Sequence, residues 1–542
     1  MSKFSSRFVK QGIGMCLALA LVVLMSGNAQ AQIDPDAKYK FIPIPAKFEI
    51  RMPEGLTKED KEAYRKALDA RTAAQKERNK SNSLVTGILK GGAIGANEDL
   101  FNEWFNWVLF AEMTQTDEES LLELPKRRQN FFLRYVEAKE MTPPVHDHLI
   151  KLTKSTMLNI AKGDFHPAVR YNAMLIVGKL NSTEAISIGS NKSPPIPWFD
   201  ALRDLFTEYK NAAQIEPVKI AAMLGILRHV KLDGQRRADL RMPFEARAAV
   251  IAEMTALLSA ADPPGTRTPE GHRWMQRRAI DILGGLRDLG PDNVVAKKLS
   301  AIINDTAEPI SYRCSAAAVY GQLNFPPPPN PAAPDPSVAV RQIAALASQA
   351  CRQELKRIEE LEEELQEREL RVKLNEARGA STRNVSRNTS VKFQDYQVDA
   401  SRRFFKYYIN CCQTGIGLTE RDGFRKYSTK DPHKSKVKDF VDALKDVMSA
   451  TDKRKDDPEF TMDLLVDAVE ENLRPLDKLV GVATPKAAEP GEALPVGPGP
   501  DEAGPGPVDP LGDGPGPSGE GPGPAKKGPG PDVESPKVDP FG

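Results

Sequence analysis

The sequence predicts an all-α protein: a short, irregular alpha-solenoid of helical hairpins with a long charged helix, a helical C-terminal region and a disordered Pro/Gly tail. Two observations predict this fold class. One phrase of residue types recurs three times at the same offsets, and apolar residues of helical period surround each copy. A hydrophobic fraction of 40% and a charged fraction of 27% are ordinary for a globular chain, and the net charge of +1 excludes a globally acidic or basic protein.

The recurring phrase combines a polar residue with Ala, Gly and Leu on an apolar helical stretch. Its copies are Arg170, Ala173, Gly178 and Leu180; Gln276, Ala279, Gly284 and Leu286; and Arg313, Ala316, Gly321 and Leu323. The small residues allow a neighbouring helix to approach closely, and the Leu fills the space beyond. Identical offsets therefore indicate stacked copies of one hairpin, because such units bury their faces only against each other.

Residues 1–31 have the pattern of a signal peptide. Three positive residues precede an apolar run over residues 13–25, and Ala29-Gln30-Ala31 is a small-x-small cleavage site. We expect cleavage after Ala31 and an exported mature chain, periplasmic or extracellular, that begins at Gln32. An uncleaved anchor is the alternative, but the apolar run is shorter than the roughly 20 residues that span a bilayer. No later stretch is apolar enough to span, so no transmembrane segment is expected after cleavage.

Local sequence patterns predict the elements that precede the repeats. Residues 32–95 are predicted to form an extended arm with a short alternating piece at residues 47–51, a charged helix over 57–80, and a Gly-rich hinge from Gly87 to Gly95. The aromatic helix that follows, with Phe101, Trp104 and Phe105, is predicted to close the N-terminal end of the repeat stack.

Residues 96–325 are predicted to be the helical-repeat domain, after an additional helix over 121–136. The first hairpin joins a helix with Leu149 to the first copy of the phrase. The later hairpins pair 198–209 with 217–230, 244–259 with 271–286, and 293–304 with 309–323. In the second hairpin Leu227 and His229 replace the Gly and Leu of the phrase. That broken copy marks where a bend or an exposed contact surface is easiest to place.

An acidic residue stands shortly before each second helix, where it favours the positive end of the helix dipole. These residues are Asp164, Glu216, Glu270 and Glu308. An acidic residue, a Pro, Val-Arg and then Ala and Gly-x-Leu, as in DFHPAVRYNAMLIVGKL, resembles the HEAT-repeat family. The resemblance covers residues 145–325 and implies an alpha-solenoid used mainly for protein binding and scaffolding.

The C-terminal third of the sequence lacks the recurring phrase and consists of segments of different composition. A Pro-rich linker is predicted over 326–336, a long charged helix over 337–378, and a separate basic helical region over 379–480. Leu355, Ile358, Leu361 and Leu365 would suit a coiled-coil partner, but a helix packed at one end and projecting at the other is favoured. Residues 481–542 are predicted to be a disordered, acidic Pro/Gly-rich tail, in which Val-Asp-Pro-Leu/Phe-Gly recurs at 508 and 538.

Four cysteines follow the predicted cleavage site: Cys314, Cys351, Cys411 and Cys412. An oxidising compartment permits disulfides, but four cysteines in so long a chain do not make a disulfide scaffold. Cys314 is read as a small core residue. For the adjacent pair Cys411 and Cys412, one buried and one near-surface thiol is the favoured interpretation, and a strained vicinal disulfide or a redox pair is the alternative.

Catalytic motifs are missing from the sequence, and no catalytic, cofactor-binding or metal-binding residue is assigned. His146 and His148 lack the spacing of a zinc site. The favoured hypothesis is a non-catalytic exported scaffold with an unidentified protein partner and no nucleic-acid partner. One alternative is a helical-toroid hydrolase or lyase of envelope polysaccharide, with Trp198 and Trp274 stacking on sugars.

A third hypothesis is adhesion to an anionic envelope polymer through the basic segment 378–438. Its candidate contacts are Arg402, Arg403 and Lys406, which alternate with aromatic residues along one predicted helix. A half-buried structural helix is the competing interpretation of the same residues.

Overall fold

The protein is described from a computed structural model covering residues 38–53, 56–188, 191–237, 241–265, 267–326, 335–377, 393–428, 433–452 and 461–481. The predicted signal peptide, most of the Pro-rich linker, the polar segment after residue 377 and the predicted tail beyond Gly481 lie outside these residues. The described part of the chain is mostly helical, so the all-α class is confirmed. Each of its helices is too short or too polar to cross a bilayer.

The N-terminal part differs from the sequence prediction in two places. Residues 47–51 are not an alternating strand, since a 3-10 turn over Ala46–Phe48 buries Phe48 against Trp104. Helix α1, Lys61–Leu89, continues past the predicted end at residue 80 and through Gly87. Its last turns bury Val85, which explains the extension because tertiary packing outweighs the weak helix propensity of Gly.

The aromatic segment packs as predicted from its apolar stripe. Helix α2, Glu98–Trp104, continues as a π-helix over Phe105–Phe110, and α3, Glu118–Phe131, continues as a second π-helix over Phe132–Val136. The buried rings of Phe105 and Phe131 lie 6.3 Å apart at a steep angle. Helix α3 then contacts the first hairpin, where Arg128 donates a hydrogen bond to Asn172.

Four helical hairpins follow. Their first helices are α4, Pro143–Lys162; α6, Phe199–Lys210; α8, Phe244–Ser259; and α10, Val294–Asn304. Their second helices are α5, Pro167–Val177; α7, Glu216–Asp233; α9, Pro269–Leu286; and α11, Ile310–Tyr320. Each second helix packs on its own first helix and on the next second helix, so α5, α7, α9 and α11 form one row.

The connection between the first two hairpins contains short strands that the sequence reading missed. Strands β1, Asn181–Thr183, and β4, Ile196–Pro197, pair antiparallel, and β2, Ile186–Ile188, pairs with β3, Asn191–Ser193. The Pro-rich sequence there suggested only a loop. Strands of two or three residues carry too little alternation to be recognised from sequence.

The first residue of the phrase joins the two helices of a hairpin. Arg170 donates from Nε to the carbonyl of Ala161 at 2.9 Å, and Arg313 donates from Nε to that of Ile303 at 2.9 Å. Gln276 donates to the carbonyl of Ala260 at 2.8 Å. These carbonyls lie at the ends of first helices, where backbone acceptors lack intrahelical partners. The recurring polar residue is therefore a helix C-terminal cap supplied by the partner helix.

The glycines of the phrase are the points where second helices touch. A Cβ at Gly178 would lie 2.8 Å from the Cα of Gly225, and one at Gly284 would lie 2.7 Å from Val319. The Ala and Leu positions of all three copies are buried in the same core: Ala173, Leu180, Ala279, Leu286, Ala316 and Leu323. The structure therefore places the phrase between hairpins, where its small residues set the helix spacing.

The broken copy in α7 is neither a bend with a missing contact nor an exposed surface. Gly225, two residues before Leu227, supplies the close approach to Gly178, and both Leu227 and His229 are buried. The His229 ring hydrogen-bonds to the backbone of Gly178, and its Nε2 has no partner among the described residues. Burial lowers the pKa of His229 to about 3, so the imidazole is neutral in the folded protein.

Two of the acidic residues predicted before the second helices, Glu216 and Glu308, bind a neighbouring hairpin. Glu216 accepts two hydrogen bonds from Arg267, at 2.8 and 3.1 Å, across the second and third hairpins. Glu308 pairs with Arg273 at 2.8 Å across the third and fourth. The row is thus held by glycine contacts along its helices and by ion pairs at its hairpin turns.

The C-terminal helices continue the row instead of forming the separate region that the sequence suggested. Helix α12, Pro336–Ala377, packs on α13, Asp395–Ile416, and α13 lies beside α11. A Cβ at Gly321 would lie 1.7 Å from the carbonyl oxygen of Gly415. Two further helices, α14, His433–Asp452, and α15, Met462–Val480, cover this pair.

Helix α12 is packed at one end and exposed at the other, as its sequence favours. Its first half is buried as far as Ile358, whereas the side chains of Leu370 and Leu374 are 68% and 49% exposed. Buried Asp477 of α15 accepts hydrogen bonds from Ser348 and Arg352 of α12. This network fastens the last helix to the packed half of the long one.

Replacing Gly415 with Ala should destabilise the protein by about 2 kcal/mol or more, because the new Cβ would lie 2.3 Å from the carbonyl oxygen of Ala317. Gly87→Ala is the matched control, since a Cβ there meets nothing within 4 Å and helices favour Ala over Gly by about 1 kcal/mol. Urea unfolding should show a loss of stability for Gly415→Ala and no loss of stability for Gly87→Ala. Equal stability would contradict the crossing of α11 and α13.

His229 should make the fold sensitive to acid. Its folded pKa of about 3 lies below the ordinary value of about 6.5, so the unfolded chain takes up a proton first and stability falls as pH drops from 6.5 towards 3. Between pH 7 and pH 5 the titration of His229 should lower the free energy of unfolding by about 2 kcal/mol.

Urea unfolding of His229→Leu and His229→Gln at both pH values checks this contribution. Both variants should lose that part of the pH dependence, although only Gln can keep a hydrogen bond to Gly178. An unchanged pH dependence in both would show that His229 does not titrate as its burial requires.

Candidate functional site

The row of second helices has one side that no first helix covers. We call it the second-helix face, and we define it by a set of polar, charged and apolar residues of α5, α7, α9, α11 and α13 that are at least partly exposed. Its members are Leu175, Lys179, Leu224, Arg228, Lys231, Trp274, Arg277, Arg278, Asp281, Ser311, Ser315 and Tyr407. The helices that carry these residues pack against each other in order, so the face extends along the row.

The charge on this face is mostly positive. Lys179 of the turn after α5, Arg228 and Lys231 of α7, and Arg277 and Arg278 of α9 supply the cations. Asp281 is the acidic residue midway along it, Glu137 and Glu184 lie beside Lys179 and Arg228, and the other acids of α7 and α9 lie towards the helix ends. A globally neutral chain therefore presents a cationic surface at one place.

Several of these cations are held in position by neighbours. Arg228 donates to Asn181 at 2.6 Å, Lys179 pairs with Glu137 at 3.0 Å, and Arg278 pairs with Asp281 at 2.9 Å. Burial lowers the pKa of Arg228, because a charged guanidinium is poorly solvated there. The side chains are thus preorganised, which reduces the entropy lost when a partner binds.

Asp281 is a partly exposed acidic residue of the second-helix face. Its side chain is 31% exposed, yet burial raises its pKa, and the nearby charges of Arg278, Lys231 and Arg277 only partly oppose the shift. Charges brought close to a poorly solvated carboxyl group interact with it more strongly than they would in open water.

A polar contact extends the face onto α13. The hydroxyls of Ser315 and Tyr407 lie 2.7 Å apart, and Arg277 donates a hydrogen bond to Ser311 in the same helix as Ser315. Tyr407 is 40% exposed, and burial of its hydroxyl raises its pKa. Hydroxyl groups here add hydrogen-bonding capacity next to the arginines of α9.

The two tryptophans of the hydrolase hypothesis lie on different kinds of helix. Trp198 precedes the first helix α6, with the Lys154 ammonium 4.7 Å from its ring centroid. Trp274 lies on the second helix α9, with the Arg278 guanidinium 5.5 Å from its ring. Each ring therefore has a cation over it, which is a stabilising contact in the protein itself.

The three polyanion-contact candidates all lie on α13, but they differ in exposure. Arg402 has a side chain only 11% exposed and pairs with Asp399 at 3.3 Å. Lys406 is half-buried, and Arg403 is exposed. Arg403 is thus the residue of this group that is best placed to meet a ligand, and part of the predicted segment 378–438 lies outside the described residues.

Two other places on the molecule have features of a binding site. His146 lies 3.6 Å from Glu184, and His148 lies 2.7 Å from Asn102. Within the described ranges no group of three or more metal-ligating side chains could hold a metal ion. An apolar groove of about 500 Å³ also runs between the first helices α8 and α10, with Lys297 at its edge.

Comparison with known proteins finds no matching family model, curated protein or solved structure. The resemblance to HEAT repeats therefore rests on the recurring phrase and stays a prediction. Sequence reasoning missed the second-helix face. The residues five and nine positions after Arg170 are Leu175 and Lys179, but the same positions after Gln276 and Arg313 contain no cation, so the phrase by itself does not predict the face.

Proposed function

We propose that this protein is an exported, non-catalytic scaffold that binds an acidic segment of a protein partner through its second-helix face. The observation that carries the proposal is the cationic charge of that face, with apolar Leu224 and Trp274 among its arginines and lysines. Positive charge attracts an acidic partner, and the apolar side chains add contact area that water would otherwise cover. Export rests on the pattern of residues 1–31, and the repeat resemblance is in keeping with a scaffold.

The two alternatives make different demands on the molecule. A hydrolase needs paired carboxylates facing its substrate, and Asp281 on the second-helix face is paired with Arg278. Adhesion to an anionic polymer through 378–438 depends on exposed cations, of which Arg403 is one. Neither has an observation as direct as the charge of the second-helix face, and both stay predictions.

Removing two charges from the second-helix face should weaken binding of acidic peptide. In Lys231→Gln with Arg278→Gln, we expect a roughly tenfold loss of affinity for a fluorescein-labelled oligoglutamate, because each exposed pair contributes about 0.5–1 kcal/mol. Lys297→Gln with Lys298→Gln removes the same charge from first helix α10 and should change little. Fluorescence anisotropy at two salt concentrations measures both, and salt should weaken wild-type binding.

A photo-crosslinking residue at Leu224 extends the same comparison to the natural partner in an envelope fraction. The crosslink should disappear in the second-helix-face variant and persist in the control. If the control variant loses binding instead, the partner occupies the groove between α8 and α10. If neither variant affects the peptide or the crosslink, charge on this protein does not select the partner.

Asp281→Asn should have the opposite effect. Removing the negative charge should tighten oligoglutamate binding by roughly three- to fivefold at neutral pH. Because the pKa of Asp281 is raised, wild-type binding should also tighten as the pH falls and this carboxyl takes up a proton, whereas the Asn variant should lack that step. If Asp281→Asn binds more weakly, or if binding by the wild type and the variant depends equally on pH, Asp281 is not part of the contact surface.

A further inference from the structure

The four cysteines of the mature chain meet at one junction of the fold. Cys314 lies in α11, Cys351 in α12, and Cys411 and Cys412 in α13. Cys314, Cys351 and Cys412 are fully buried, and Cys411 is partly exposed. Residues that are far apart in the sequence are thereby gathered where α11, α12 and α13 pack together.

Within the cluster, Cys412 is the direct neighbour of Cys314. All four cysteines are free thiols in the structure, and the interaction with Cys314 together with burial raises the pKa of Cys412. Cys411 instead interacts with the hydroxyl of Tyr407, and burial raises its pKa to about 12. The two adjacent cysteines of α13 therefore have different partners, and a vicinal bond between them would distort the helix.

The backbones of α11 and α13 are unusually close at this place. They cross where a Cβ at Gly415 would lie 2.3 Å from the carbonyl oxygen of Ala317. Ser315 of α11 contacts Tyr407 of α13, and each of these residues precedes the crossing point in its own helix. The two helices therefore run in the same direction. Cys314 and Cys412 each lie three residues before the crossing residue of their helix. Close backbones and facing thiols are what a disulfide requires.

We propose that Cys314 and Cys412 form a disulfide that fastens α13, and with it the C-terminal helices, to the row of hairpins. This inference rests on the export part of the proposed function, since only an oxidising compartment maintains such a bond. Each thiol loses its proton, a sulfur–sulfur bond forms, and the two electrons pass to the disulfide of an oxidant, which is released as two thiols.

The bond forms before the junction closes. Exchange needs a thiolate, and in the folded protein Cys314 and Cys412 are both fully buried and the pKa of Cys412 is raised. The same burial then shields the finished bond from reductants. The bond joins residues 98 positions apart in the chain (412 − 314), so it restricts the unfolded state strongly, and its reduction should lower the unfolding midpoint by roughly 5–10 °C.

The first test refolds the mature protein in a mixture of oxidised and reduced glutathione. Remaining thiols are alkylated under denaturing conditions, and a digest is analysed by mass spectrometry. We expect the peptide with Cys314 to be linked to the peptide with Cys411 and Cys412, and Cys351 to be alkylated. Cys412→Ala should abolish the link, whereas Cys411→Ala and Cys351→Ala should retain it.

Four alkylated thiols after refolding, or a link that survives Cys412→Ala, would overturn the inference. The second test applies the same alkylation to full-length protein recovered from an exporting host. A link on refolding but free thiols in that material would contradict export and leave the geometry of the pair intact. In the linked protein, dithiothreitol should reduce the bond slowly without denaturant and rapidly with it, and equal rates would show that the bond is not buried.

Discussion

The close approach of the second helices is the constraint on which the rest of the structure depends. Gly178 against Gly225, Gly284 against Val319, and Gly321 against Gly415 leave no room for a side chain at the crossing points. Because backbones touch there, the order and spacing of the hairpins are determined along the whole row. The polar residue that opens each phrase then caps the first helix of the same hairpin, so each repeat is stabilised both internally and against its neighbour.

The chemistry of the second-helix face follows from that packing. Residues that face the neighbouring helices must be small or apolar, and the positions left between them become neighbours on the uncovered side. At the hairpin turns, acids such as Glu216 and Glu308 form ion pairs with arginines of adjacent repeats, which neutralise their charge. Cations therefore remain in excess on the second-helix face, although the whole chain has a net charge of only +1.

The crossing of α11 and α13 determines where the other C-terminal helices pack. Once Gly415 lies against α11, α13 takes the next place in the row and α12 packs beside it, with α14 and α15 covering the pair. The same crossing brings Cys412 to Cys314 and Tyr407 to Ser315. A glycine contact therefore extends the second-helix face and creates the thiol cluster at the same time. The buried Asp477 network then holds the last helix in place.

The sequence by itself determined the helical class, the hairpin repeat and most helix bounds, as at α8, predicted and found at residues 244–259. Those features depend on periodicity and on caps a few residues away. Only the tertiary structure decided that α1 continues through Gly87, that Gly225 of α7 lies against Gly178 of the first phrase, and that Cys314 and Cys412 belong to one buried cluster. These outcomes depend on contacts between distant residues, and a local pattern shows which face of a helix is buried without showing what covers it.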